Sequence, residues 1–205
     1  MTLMMTDLTY QDQGHIYSLD GEQLPCVSDL CRFLHREIYK DAPQWSMEQA
    51  AIRGTAVHTA AQSLDETGRA EIPEEYLPYL MAYKAFLQDY SPAWDMIEKP
   101  FYHPVHLYAG TIDRYGAIRG EAALVDVKTT YTVHKPLCRG QLNLYRLMLI
   151  ARGLPVHRLY ILHLKKDGTY KLIPMDEDET LALSLITLHK ALAKRKRTRK
   201  APTNK

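Results

Sequence analysis

Three short apolar segments follow one another between residues 94 and 128, and that run limits the fold more than any other feature. Trp94–His103, His106–Tyr115 and Ala122–Lys128 are too short and too broken by Gly and Pro for helices, and read as consecutive strands. Segments of helical rhythm lie on both sides. Ser28 stands where an N-cap belongs, ahead of Leu30, Phe33 and Leu34 at helical spacing. A second helix from about Ser46 to Asp65 carries Ala50, Ala51, Ala56, Val57, Ala60 and Ala61, which allow close packing. A third, Glu74–Tyr90, aligns Tyr79, Tyr83, Phe86 and Leu87, although Pro78 disturbs its first turn.

Upstream, His15–Leu19 reads as a short strand before an Asp20-Gly21 turn. Downstream, Pro136–Arg152 returns to helix and stops at Gly153 and Pro155. His157–Leu164 and Tyr170–Pro174 read as strands around Asp167-Gly168, and Glu177–Lys194 places Leu181, Leu185, Leu188 and Leu192 at helical intervals. This order predicts an α/β fold, a mixed central β-sheet flanked by helices. With 205 residues, the expectation is one domain over 1–194: a helical part at about 28–90 and a core at about 94–175.

Composition excludes other classes. A chain with 46% hydrophobic and 24% charged residues is neither disordered nor membrane-spanning in character, and no apolar run approaches ~20 residues. The opening MTLMMTDLTYQDQ has no basic or apolar signal region, so a cytoplasmic location is expected. Cys26, Cys31 and Cys138 are too few for a disulfide framework or a Cys₄ metal site. The net charge of +2 hides an asymmetry. Residues 190–205 hold eight Lys/Arg and no acid, which leaves 18 basic and 24 acidic side chains in 1–189. The basic tail, 195–205, suits a polyanionic partner, but equally a solvated, frayed terminus.

A hairpin turning at Arg119-Gly120 pairs Ile118 with Glu121 and, further back, sets Asp113 opposite Asp126. Asp126 and Lys128, two apart on a strand, share a face with Leu124, while Val125 and Val127 point the other way. Facing carboxylates repel unless a proton or cation offsets them. Lys128 could complete a structural triad; alternatively, a hard divalent cation could sit between the aspartates, with Lys128 acting on a phosphate or a water. Gly54, His58 and Gln62 share one face of the second helix, and Gln141 and Tyr145 one face of the Pro136–Arg152 helix.

In order, Gly54-Thr55-Ala56-Val57-His58, Glu98, Gly110-Thr111-Ile112-Asp113, Asp126-Val127-Lys128-Thr129 and Gln141-Leu142-Asn143-Leu144-Tyr145 resemble the PD-(D/E)XK nuclease superfamily. More narrowly they are similar to its RecB-like branch, which includes phage exonucleases and helicase-linked nuclease domains. The resemblance spans about residues 50–146, with the strand–turn–helix opening HIYSLDGEQLPCVSDLCRFL similar to compact phage-type members. It implies a restriction-endonuclease-like core and DNA as partner. It also implies Mg²⁺ or Mn²⁺ held by His58, Asp113, Asp126 and the Val127 carbonyl, with Asp113, Asp126 and Lys128 as the catalytic set. Gln141, Tyr145, Arg53 and Thr55 would contact substrate, and Glu98 would be an accessory acid. Two departures stand out. Gln62 replaces an acid common in relatives, and three cysteines do not suffice for the iron–sulphur cluster of some members.

The resulting expectation is a metal-dependent phage- or prophage-type DNA exonuclease of recombination, repair or end processing, with a recombination or replication protein as an optional partner and, if phage-encoded, the bacterial host's cytoplasm as its location. The rivals are a structure- or sequence-specific endonuclease and a non-catalytic DNA-binding adaptor on the same fold. A non-haem iron oxygenase would leave Lys128, Gln141 and Tyr145 without a role.

Overall fold

The computed structural model describes residues 8–11 and 14–200, the last six as backbone only. A small antiparallel sheet, β1 (Leu8–Gln11), β2 (Ile16–Leu19) and β3 (Glu22–Leu24), opens the chain, β1 being a strand the sequence did not announce. Next come α1 (Val27–Leu30), α2 (Arg32–Ile38) and the long α3 (Gln44–Thr67), then a 3₁₀ turn at Glu74–Tyr76 and α4 (Leu77–Tyr90). The strands β4 (Ala93–Tyr102), β5 (Ala109–Ile118) and β6 (Glu121–Lys128) precede α5 (Lys135–Ile150). The chain continues through β7 (Arg158–Leu164), β8 (Tyr170–Met175) and α6 (Glu179–Lys200).

The large sheet has the order β4-β5-β6-β7-β8, antiparallel throughout except for the parallel pair β6 and β7, which α5 connects. It is therefore the mixed, helix-flanked sheet the sequence predicts. Val57, Tyr83, Phe86, Val125, Val127 and Leu162 fill the core between one face and α3/α4. Ile112, Leu124, Leu144, Met148, Ile161 and Leu185 fill the core between the other face and α5/α6. The alternation along β6 is what separates Leu124 from Val125 and Val127.

Several local expectations shift by a residue or a turn, each for a physical reason. The first helix is capped at Cys26 rather than Ser28, because the Asp29 carboxylate accepts the Cys26 backbone N–H at 3.1 Å. Pro78 does not break the third predicted helix; it sits in the first turn of α4, where its missing N–H costs nothing. The segment 106–108 lies outside β5, with Leu107 at φ 53 in the turn. The backbone of α6 runs past Lys194 to Lys200, so the frayed-tail alternative does not describe 195–200; residues 201–205 lie outside the described chain.

Gly116 lies opposite the β4 irregularity between Trp94 and Met96. A Cβ there would come 2.1 Å from the Ala93 carbonyl oxygen and 2.7 Å from the Trp94 Cα. Both obstacles are backbone and cannot rotate away. Gly116→Ala should cost about 1–3 kcal/mol, seen as a lower thermal midpoint; an unchanged midpoint would mean β4 moves freely at this bulge.

The β4–β5 turn holds a neutral histidine. His103 Nδ1 accepts the Val105 and His106 N–H groups at 3.2 and 3.1 Å, and the buried ring lies against Tyr108. Burial, then the nearby His106 and Arg152, push its pKa down to about 4. The folded value lies below the unfolded one of about 6.5. Its stabilising contribution is therefore full above pH 6.5 and lost as pH falls towards 4. His103→Asn, whose amide oxygen can accept the same N–H groups, should flatten part of the melting-temperature fall across that window. Parallel curves for the two proteins would refute the assignment.

Candidate active site

Four elements deliver polar side chains to one end of the sheet. α3 is Ala-rich, closed by Gly68 at φ 73, and turns Gly54, His58 and Gln62 together into a cleft of about 710 Å³. A Cβ on Gly54 would meet nothing within 4 Å, so no neighbouring chain uses the close approach a glycine there allows. α5 contributes Gln141 and Tyr145, and Gly110 makes room for the latter: a Cβ there would lie 2.7 Å from Tyr145 Cε1.

The β5–β6 hairpin has the expected register. Arg119 and Gly120 turn at φ 51 and 81, and the ladder runs from Ile118↔Glu121 back to Arg114↔Val125. It stops one pair short of the aspartates, because the Val127 N–H donates to the Asp113 carboxylate at 2.8 Å instead of to backbone. Strand alternation also breaks here. Ile112 and Tyr115 both pack on the α5 side, whereas the Arg114 side chain reaches Asp65 on α3 and Tyr83 on α4. Across from Asp113, between the pairs Ile97↔Arg114 and Lys99↔Ile112, Glu98 adopts φ 42, a conformation non-glycine residues rarely take. Glu98 thus enters the site by a backbone distortion that no spacing in the sequence reveals.

His58 Nδ1 is 2.9 Å from Glu98 Oε1 and 3.8 Å from Asp113 Oδ2, and Nε2 is 3.1 Å from the Val127 carbonyl oxygen. Ligand atoms of His58, Glu98 and Asp113 lie within 4.8 Å of one another. Both ring nitrogens face acceptors. Burial opposes the charged ring, but Asp113 and Glu98 outweigh it and raise the pKa to about 9. Burial likewise acts against the Glu98 carboxylate, yet the hydrogen bond and charge of His58, with Arg114, hold it below the usual range.

Asp126 and Lys128 form the second half. Lys128 Nζ is 2.6 Å from Asp126 Oδ2 and donates to Gln141 Oε1 at 3.2 Å. Oδ2 of this 2% exposed carboxylate is thus taken by Lys128, while Oδ1 has no hydrogen-bond partner among the described residues. Burial pushes Asp126 up to about 6, with Lys128 pulling down and Asp113 adding to the rise. Burial also raises Asp113, against the pull of His58. The Lys128 ammonium is held above its ordinary range by Asp126 and Asp113, despite burial. The donor set is hard oxygen plus one imidazole, with buried carboxylate oxygen lacking a partner. It fits a divalent cation such as Mg²⁺ or Mn²⁺.

Among the predicted residues, His58, Asp113, Asp126, Lys128, Thr55, Gln141, Tyr145 and Glu98 all line the cleft. Arg53 does not: its guanidinium lies over the Tyr79 ring at 5.7 Å, with Nε 3.4 Å from Thr129 Oγ1. Sequence reasoning missed Tyr10, His15 and Tyr17, which line the same cleft. It also missed Arg114, a buried arginine bonded to both Asp65 and Glu98. The pattern HIYSLDGEQL announces a hairpin, but nothing local says what it covers.

No protein-family model matches the chain, and no curated protein sequence does. Similar solved structures include that of SSO0001, with 15% identity and a TM-score of 0.41 over 81% of this chain and 74% of that one. An alkaline exonuclease (LHK-Exo) from Laribacter hongkongensis has 14% identity and a TM-score of 0.39, over 85% and 92% of the two chains. LHK-Exo in complex with dAMP has 14% identity and a TM-score of 0.43, over 87% and 95%.

Proposed function

We propose that the chain is a metal-dependent deoxyribonuclease, a single nuclease domain over 1–194 that hydrolyses phosphodiester bonds as a phage- or prophage-type exonuclease. The observation that carries this reading is one convergence. His58, three acids from three neighbouring strands (Glu98, Asp113 and Asp126) and Lys128 share a cleft. A structural triad of Asp113, Asp126 and Lys128 would leave His58 and Glu98 unexplained.

His58, Asp113, Asp126 and the Val127 carbonyl would hold Mg²⁺ or Mn²⁺, with Glu98 fixing the His58 ring through Nδ1. Bound there, the cation would supply positive charge to a phosphoryl oxygen and make a water more acidic. In the hydrolysis, water oxygen bonds to phosphorus, the P–O ester bond breaks, and the leaving oxygen takes up a proton. Lys128, fixed between Asp126 and Gln141, presents its ammonium to the oxygens on which negative charge grows. Tyr145 and Thr55 bond or pack against the strand. Recombination, repair or end processing in a cytoplasm is the setting such an enzyme suits; no helix among the described residues is long and apolar enough to cross a membrane.

End-labelled linear DNA and circular single- and double-stranded DNA, incubated with Mg²⁺, Mn²⁺ or EDTA, test the proposal. Metal-dependent release of nucleotides from linear DNA alone is expected. Cutting of circles would replace the exonuclease by an endonuclease. Binding without cleavage in either metal would leave a non-catalytic DNA-binding protein.

A further inference from the structure

The small N-terminal sheet lends side chains to the cleft that α3 also lines. Tyr10 and Tyr17 are directly paired across β1 and β2, and their rings stack at 4.8 Å with 28° between planes. Such a pair stabilises any hairpin. Three further observations exceed that role. Tyr10, Tyr17 and His15 all line the cleft that holds His58, Asp113 and Lys128. The wall is tied to the site: the Tyr17 hydroxyl lies 2.8 Å from Thr111 Oγ1, two residues before Asp113 on β5. Finally, exposed His15 is held at φ 49 with Nδ1 2.9 Å from the Tyr10 hydroxyl, which fixes the imidazole beside the ring.

The lining side chains differ in chemistry. Some are charged groups suited to a phosphodiester; others are π-faced side chains held by hydrogen bonds. A ligand that presents a phosphate on one side and a flat aromatic ring on the other is a nucleotide. A strand with unpaired bases can enter and stack, whatever its sequence, because every base has a π-face.

We infer that Tyr10 and His15 form a base-stacking platform for the nucleotide beside the scissile phosphate, and that the cleft therefore takes a single DNA strand. This rests on the nuclease reading, and it adds the form of the substrate, which that reading leaves open. Tyr10 and His15 bind; they take no part in bond making or breaking.

The probe is a single-stranded DNA oligonucleotide carrying 2-aminopurine near one end, bound in Ca²⁺ and checked on a gel to be intact. Stacking on the platform quenches the fluorescence. Tyr10→Val should relieve the quench and weaken binding by between about 5-fold and 100-fold, the range alanine substitution gives for a stacked base. Tyr10→Phe, which keeps the ring, should retain both. His15→Asn tolerates the left-handed backbone and should show an intermediate loss, and circular dichroism would verify that each variant keeps its fold. A blunt duplex of the same sequence should bind at least about tenfold more weakly than the single strand.

Wild-type quenching and affinity in Tyr10→Val, or a duplex bound as well as the single strand, overturns the inference. The parent reading fails separately: quenching by the wild-type protein without cleavage in Mg²⁺ or Mn²⁺ would keep the platform and remove the nuclease.

Discussion

Lys128→Met is expected to lower single-turnover hydrolysis of a DNA phosphodiester by about 10²- to 10³-fold, the loss typical when one donor to developing negative charge is removed. Met keeps the apolar stem and removes only the ammonium. The fold should survive for an electrostatic reason. Asp126 is 2% exposed, and its carboxyl already stands at about 6 with Lys128 beside it. Without that cation the carboxyl rises further and is protonated at neutral pH, so the buried charge disappears rather than standing unpaired. Melting curves for variant and wild type should therefore lie close together at pH 7, while rates differ. Lys128→Arg keeps the charge, but a planar fork cannot occupy the place of a compact ammonium between Asp126 and Gln141. Partial recovery is expected from it, not full rate. A wild-type rate in Lys128→Met would remove the residue from the chemistry and favour the structural triad.

The parts of this site legible in the sequence are those fixed by short-range periodicity. The two-residue turn at Arg119-Gly120 sets the register that brings Asp113 to the level of Asp126. Helical spacing brings Gly54, His58 and Gln62 to one side, as it does Gln141 and Tyr145. The rest depends on non-local geometry. Glu98 reaches His58 because its backbone turns to φ 42, and Arg114 reaches Asp65 because alternation fails at Asp113; a period of two predicts neither. Sequence distance hid Tyr10 and His15, since the hydrogen bond that ties their sheet to the site, Tyr17 to Thr111, joins residues 94 apart.

Arg114→Met should be the most destabilising single change, at about 3–5 kcal/mol, the cost of removing one partner from a buried ion pair. Arg114 is 0% exposed, yet its guanidinium bonds to the Asp65 carboxylate at 2.7 Å and the Glu98 carboxylate at 2.9 Å, and also to the Tyr83 hydroxyl and the Asp113 carbonyl. It is a strut between α3, α4, β4 and β5, directly beneath the acid cluster. The partners do not respond alike. Burial opposes the Arg114 charge, but Tyr83, Asp65 and Glu98 raise its pKa; burial raises Asp65 too, and the bonds to Tyr83 and Arg114 only partly offset that. The 2.7 Å contact decides for an ionised pair. Removing the cation leaves Asp65 buried with Tyr83 as its remaining partner, whereas Glu98 keeps His58. The loss should therefore come chiefly from Asp65. Adding Asp65→Asn to Arg114→Met removes the orphaned charge and should restore part of the stability, a non-additivity that a double-mutant cycle by urea denaturation would measure. Strict additivity, or a loss below about 1 kcal/mol, would mean the network fills space without holding the strands. Activity gives an independent reading. With Glu98 released from Arg114, the His58 ring loses its fixed partner geometry, so Arg114→Met should hydrolyse DNA slowly even at temperatures where it is fully folded.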